Sequence, residues 1–188
     1  MQMWNLFLTN MNLRKVNGLT LLLLGGAFSF YMPQEATWKV KKKVQVKFSN
    51  NDVVGEFNDF KGAVVFDESN LSKSTFDFEI DAASAKTENS MQTNHLKNSD
   101  WLNVEKFPKI RFISKSFIAL GKSFEVKGIL SLHGVEKEIT APFEFNGEGK
   151  KATIKSSFSF NRVEFGVGSA TDGVDQTMHI DVLLPLKR

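Results

Sequence analysis

Beyond residue 36, apolar side chains recur at every second position, the period of strands with one dry and one wet face. Trp38, Val40, Val44, Val46 and Phe48 share a parity that only Lys42 interrupts. Phe76, Phe78 and Ile80 alternate with Asp77, Glu79 and Asp81. Phe124, Val126, Gly128, Leu130 and Leu132 form the next set, with Ile129 breaking its polar face. Ile139, Ala141, Phe143 and Phe145 follow, then Ala152, Ile154, Ser156, Phe158 and Phe160, then Met178, Ile180, Val182, Leu184 and Leu186. Two further runs occupy residues 57–67 and 109–117, where Phe117 falls on the outward parity. The pattern predicts an all-β chain of eight strands.

Turn signals separate these runs: Asp67-Glu68-Ser69-Asn70, Gly121-Lys122, His133-Gly134 and Gly147-Glu148-Gly149. Short links of this kind favour a closed antiparallel barrel or a sandwich, and closure removes exposed edges from a Phe-rich sheet. Residues 88–103 lack the period of two. There Asn89 or Ser90 is placed to cap a short helix, with Met91, His95 and Leu102 directed inward, as a lid between strands three and four. The other long connection, residues 161–176, holds Gly166, Gly168 and Gly173 and is expected to be mobile or tightly turned. Pro142 marks a bulge, an end or an exposed edge.

The N-terminus follows a different rule. Arg14 and Lys15 precede the apolar run Leu19 to Ala27, broken by Gly25 and Gly26, and Ala27-Phe28-Ser29 offers a small-x-small cleavage site. This order is that of a secretory signal peptide, and the run is short for a permanent span. Residues 1–29 are therefore read as an N-terminal extension and signal peptide, with Met1 or Met11 as the start, and 36–188 as one barrel domain. Periplasmic or secreted localisation follows.

Composition narrows the chemistry. The absence of Cys excludes disulfide frameworks, thiolate metal sites, a cysteine nucleophile and a lipid-modified N-terminal Cys. Two of the three net positive charges belong to Arg14 and Lys15. Lys39, Lys41, Lys42 and Lys43 read as the solvated face of a strand, so nucleic acid is not an expected partner. His95, His133 and His179 are not at metal-ligand spacing, and no Gly-x-Ser-x-Gly elbow is present. Gly166-Val167-Gly168 is too short for a phosphate loop, and the acidic residues mostly hold outward parity. No catalytic residue, metal or cofactor is expected.

The informative face is the inner one. With 18 Phe and 1 Tyr, the aromatic content is made for dry surfaces. The expected apolar lining is Phe57, Phe66, Phe76, Phe78, Ile80, Phe112, Val126, Leu130, Phe143, Ile154, Ser156, Phe158, Phe160, Phe165 and Ile180. His95, Leu96, Trp101 and Arg162 are expected at the lid and mouth. An eight-stranded barrel is either filled by its side chains or wide enough for one ligand. Small residues at inward parity (Gly62, Gly128, Ala141, Ala152, Ser156) decide between the two: stacked at one level they leave a tunnel, interdigitated with Phe they fit the taper.

Several segments resemble the YceI-like family of exported lipid-binding barrels. Trp38-Lys39-Val40, Gly55-Glu56-Phe57-Asn58-Asp59-Phe60-Lys61-Gly62 and Phe66-Asp67 are similar to its opening strands. Phe76 to Ile80 with Ala82 to Thr87 resembles its third strand and exit. His95-Leu96-Lys97-Asn98-Ser99-Asp100-Trp101-Leu102 and Phe107-Pro108-Lys109-Ile110-Arg111-Phe112 resemble its lid and fourth strand. Gly128-Ile129-Leu130-Ser131-Leu132-His133-Gly134-Val135 is similar to its central hairpin, and Phe160-Asn161-Arg162 with Phe165-Gly166 to its late signature. One departure is Met91-Gln92-Thr93-Asn94, where the family usually carries Arg-Asp before His-Leu. The resemblance implies an eight-stranded, lipocalin-like antiparallel barrel that encloses a long isoprenoid chain, a polyprenyl quinone or phosphate, for storage, transport or stress response. It implies no catalytic residues and an isoprenoid lipid as partner; apart from the resemblance, transient contact with a membrane surface is also expected. The alternatives are a filled-barrel interaction domain without ligand and a lipid-modifying enzyme.

Overall fold

The computed structural model describes residues 37–188; the expected signal peptide lies outside them. Eleven strand segments form one antiparallel sheet. They are β1 (Thr37–Val40), β2 (Gln45–Ser49), β3 (Val54–Phe57), β4 (Phe60–Val65), β5 (Thr75–Asp81) and β6 (Ala85–Thr87). After helix α1 (Ser90–Lys97) come β7 (Lys109–Leu120), β8 (Ser123–Leu132), β9 (Val135–Glu148), β10 (Lys151–Asn161) and β11 (Thr177–Lys187). Each long strand pairs with its neighbour in sequence, and β11 closes on β1 through Lys39 opposite Lys187 and Val40 opposite Leu186. The result is a closed eight-stranded antiparallel barrel, as the alternation predicts.

The first two expected strands are each broken in two, and the third, β5, is continued past a turn by a short extra segment, β6. β1 and β2 part at residues 41–44, where Lys42 interrupts the parity. β3 and β4 part at Asn58 and Asp59, and β5 and β6 part at the short 3-10 turn Ala82–Ser84. These bends let β2, β3 and β6 continue as a flap beside β11. β6 pairs with β3, while the ladder between β5 and β7 covers Asp77 to Asp81. The chain between β6 and β7 carries α1, so the helix sits where the sequence placed a lid. Asn89 caps it, its side chain accepting from the amides of Met91 and Gln92.

Phe117 corrects the parity reading. A register shift between Ser114 and Ser116 inserts one residue, and everything beyond it changes face. Phe117 therefore turns inward, and Ile118 and Leu120 are about half exposed.

Phe117 joins an aromatic plug at one end of the barrel. Its hub is Phe66, 1% exposed, whose ring lies 4.8 Å from that of Phe145, 5.0 Å from Phe124, 5.3 Å from Phe143, 6.0 Å from Phe76 and 6.1 Å from Phe117. Trp38 meets Phe145 edge-on and donates its Nε1–H to the Phe66 carbonyl at 3.2 Å. The Arg188 guanidinium caps the outer face of that indole, 3.9 Å from the ring centre. Two of the inward glycines are packed against Phe rings outside this plug. A Cβ on Gly128 would meet the Ile113 carbonyl and the Phe112 ring at 2.5 Å, and one on Gly62 would meet Phe60 and Phe78 at 2.8 Å. At those two positions the small residue admits a neighbouring Phe, so it fits the taper and leaves no tunnel.

Candidate functional site

Above the plug the barrel encloses an apolar cavity of about 170 Å³. Its wall takes Phe57 from β3, Phe76, Phe78 and Ile80 from β5, Phe112 from β7, and Val126 and Leu130 from β8. Phe143 comes from β9, Ile154, Ser156, Phe158 and Phe160 from β10, and Ile180 from β11. Two expected lining residues lie elsewhere. Phe66 sits in the plug, one residue past the end of β4. Phe165 closes the 3-10 turn Arg162–Phe165 and is buried in a second cluster with Leu130 and Leu132, against which Ile139 and Phe160 pack. This cluster lies where the β9–β10 ladder has ended, its last pair being Ser156 opposite Phe143, beside Pro142. The Ser156 hydroxyl donates to the Pro142 carbonyl at 2.7 Å.

The wall also includes residues that sequence reasoning did not nominate. Val46, Phe48, Ala141, Val182 and Leu184 carried the right parity. Val53 and Val167 come from loops and carried no periodic signal.

Adjoining the cavity is a vestibule of about 690 Å³ whose lining includes the polar residues Asp52, Gln92, His95, Ser99, Asp100, Ser169 and Asp172. It shares Val53, Leu96 and Trp101 with the apolar cavity, so these three stand at the boundary. Leu96 and Trp101 are thus at the mouth. Met91 and His95 correct the inward expectation: Met91 is 79% exposed, and His95 faces the vestibule. Trp101 Nε1 donates to His95 Nε2 at 2.9 Å. An indole N–H only donates, so that imidazole nitrogen carries no proton in this bond.

Arg162 lies beneath the boundary, 1% exposed. Its guanidinium sits 4.9 Å from the Trp101 ring centre and forms an ion pair with Asp172. The remaining bonds gather residues 167–175 around it: Nε donates to the Asp175 carbonyl, Nη1 to that of Val167 and Nη2 to that of Val174. The guanidinium, then the amides of Ser169 and Val174, hold the Asp172 carboxyl well below the usual carboxylate range. Gly166, Gly168 and Gly173 all take positive φ, so the long connection is tightly turned. It is also tied to its surroundings. Gly168 N–H donates to the Asp100 carbonyl, Asp175 N–H to Asp52 Oδ2, and Gln92 Nε2 to the Asp52 carbonyl. Gln92, in the segment that replaces Arg-Asp, thus braces the mouth.

The chemistry of this arrangement is burial and orientation. A dry, aromatic interior removes an apolar chain from water, and a hydrated end receives one polar group. Among the described residues no cluster of three or more His, Asp or Glu is placed to hold a metal.

Comparison with known proteins gives consistent results. A family model described as YceI-like domain matches residues 33–185. The UPF0312 protein of Pseudomonas aeruginosa (strain LESB58) is 30% identical over 182 residues, covering 87% of this chain and 95% of that protein. The crystal structure of BcnA from Burkholderia cenocepacia aligns with a TM-score of 0.74 at 24% identity, over 78% of this chain and 99% of that one. A polyisoprenoid binding domain from Saccharophagus degradans aligns with a TM-score of 0.63 at 13% identity, over 82% of this chain and 99% of that one. At these identities the two structures share the fold.

Proposed function

The chain belongs to the YceI-like domain family, and on that basis we propose that it is a binding protein whose barrel takes up a long apolar isoprenoid chain. The observation that carries this reading is the cavity, hydrocarbon and aromatic along its wall and adjoined at one end by a vestibule that includes polar side chains. Burying hydrocarbon stabilises a complex by about 0.8 kcal/mol per methylene, so a chain of this kind needs few polar contacts. The neighbour from Saccharophagus degradans is described as binding a polyisoprenoid, which supports the same ligand class here. The leader pattern around Arg14, Lys15 and Leu21 to Leu24 supports export to a periplasm-like space or outside the cell, where the protein would store, carry or sense the lipid.

The cavity of about 170 Å³ is smaller than pockets for drug-sized ligands, roughly 300–1,000 Å³. Uptake of a long chain therefore requires Phe rings of the wall to rotate aside. Native mass spectrometry of gently purified protein tests the proposal. A co-purified polyprenyl adduct, or uptake of one from detergent, is the expected result. A clean apo mass with no uptake would assign the chain to a filled barrel.

Ser156→Leu tests where the chain runs. Leucine removes the hydroxyl's bond to the Pro142 carbonyl, a loss of about 1 kcal/mol, and its methyl groups fill space on the cavity wall. The melting temperature should change little while lipid uptake falls. A variant destabilised by overpacking, about 1–3 kcal/mol, that binds lipid normally would show that the ligand does not pass this level.

A further inference from the structure

Arg162 is the residue that a phosphate head group would seek, and it has no donor left to offer. Its Nε donates to the Asp175 carbonyl at 3.0 Å. Nη1 donates to the Val167 carbonyl at 2.8 Å and to Asp172 Oδ2 at 2.9 Å. Nη2 donates to Asp172 Oδ1 and to the Val174 carbonyl, both at 2.7 Å. A guanidinium carries five N–H groups, and these five bonds use all of them. A phosphate would have to displace Asp172 or strip buried carbonyls of their partner. The other arginine touching the cavity wall, Arg111, is turned to the outer surface, where it makes two bonds to the Asp77 carboxylate.

The vestibule above offers no substitute. Among the described residues that line it none is Lys or Arg, whereas Asp52, Asp100 and Asp172 all do. Arg162 neutralises Asp172, which leaves the charges of Asp52 and Asp100. His95 accepts from Trp101 in this arrangement, so it supplies no cation either. Asp100 keeps accepting capacity: its side chain takes one long bond, 3.4 Å from Ser99 Oγ.

We propose that the mouth selects isoprenoids with an uncharged, hydrogen-bond-donating head, a free hydroxyl, and discriminates against the phosphorylated form of the same chain. This rests on the reading that an isoprenoid fills the barrel. The Arg162 knot makes the mouth rigid while withholding its positive charge, and the carboxylates beside it repel a second anion.

The test is a matched pair of probes, geranylgeraniol and geranylgeranyl monophosphate, titrated into the purified protein at low and high salt. The alcohol should bind at least about tenfold tighter at low salt. Raising salt should tighten the monophosphate, because repulsion between exposed charges is screened over about 10 Å at 0.1 M, and should leave the alcohol unchanged. Asp100→Asn should weaken the alcohol, strengthen the monophosphate and narrow the gap severalfold, with the melting temperature unaltered. If the monophosphate binds as tightly as the alcohol, or weakens as salt rises, the selectivity inference is overturned while the isoprenoid reading stands. If neither probe binds, the isoprenoid reading itself is overturned, and this inference with it.

Discussion

Phe66→Ala should lower the melting temperature by roughly 6–20 °C. Phe66 is buried at the centre of five other phenyl rings drawn from β5, β7, β8 and β9. Truncating a buried Phe to Ala typically costs about 3–5 kcal/mol, because the lost contacts are joined by an unfilled void. In a domain of this size each kcal/mol shifts the transition by about 2–4 °C. The strands around the void are locked by their own ladders, so collapse onto it should be partial. A second consequence follows: the void adjoins the cavity through Phe76 and Phe143, so the variant should accept a longer chain or an apolar dye that the parent excludes. Thermal unfolding followed by circular dichroism gives the first number. A shift under about 2 °C would mean that the rings do not form one packed unit.

Arg162→Met comes next in expected effect. It keeps the length of the side chain and removes its charge and donors. Removing the guanidinium leaves the partly exposed Asp172 carboxylate without its partner, and three backbone carbonyls also lose their donor, so the melting temperature at pH 7 should fall clearly. Residues 167–175 should loosen, visible as faster amide exchange and as proteolysis within that segment. The acid limb should move as well. Asp172 has its folded-state pKa depressed, with Arg162 as the largest cause. Its contribution is therefore present above the ordinary carboxylate value, about 3.9, and is lost as pH falls through the depressed one. In the variant that loss should begin closer to the ordinary value, so the difference between the proteins should be greatest at neutral pH and shrink in acid. Equal melting temperatures at pH 7 would rule out this role for Arg162.

Parity in the sequence specified which face of each strand is dry, and it did so for nearly every long strand. It carried no information on height along the barrel axis. Phe66 and Phe76 have the same character in sequence, yet Phe66 lies in the plug and Phe76 spans plug and cavity wall. Phe117 misled because an inserted residue leaves the composition of a strand unchanged while reversing its faces. The lid was visible as a failure of the period between residues 88 and 103, and Asn89 as its cap. Arg162 stood out in the sequence as a charge between an apolar strand end and a Gly-rich loop, but its partners were not legible. Three of the four groups that it engages are backbone carbonyls, which leave no trace in side-chain identity.

The plug has a directional consequence. A vessel stoppered at one end by fused aromatic rings imposes a queue on what it holds. On the proposed function, the hydrocarbon tip goes in first and comes to rest against the stopper, and the polar group is the last atom set to leave water. Unloading runs the sequence backwards, so any acceptor, whether enzyme or bilayer, meets the head before the tail. Selection at the mouth therefore acts at the start of delivery and at the end of loading, and a cargo altered at its distal tip would pass unnoticed until its length reached Phe66.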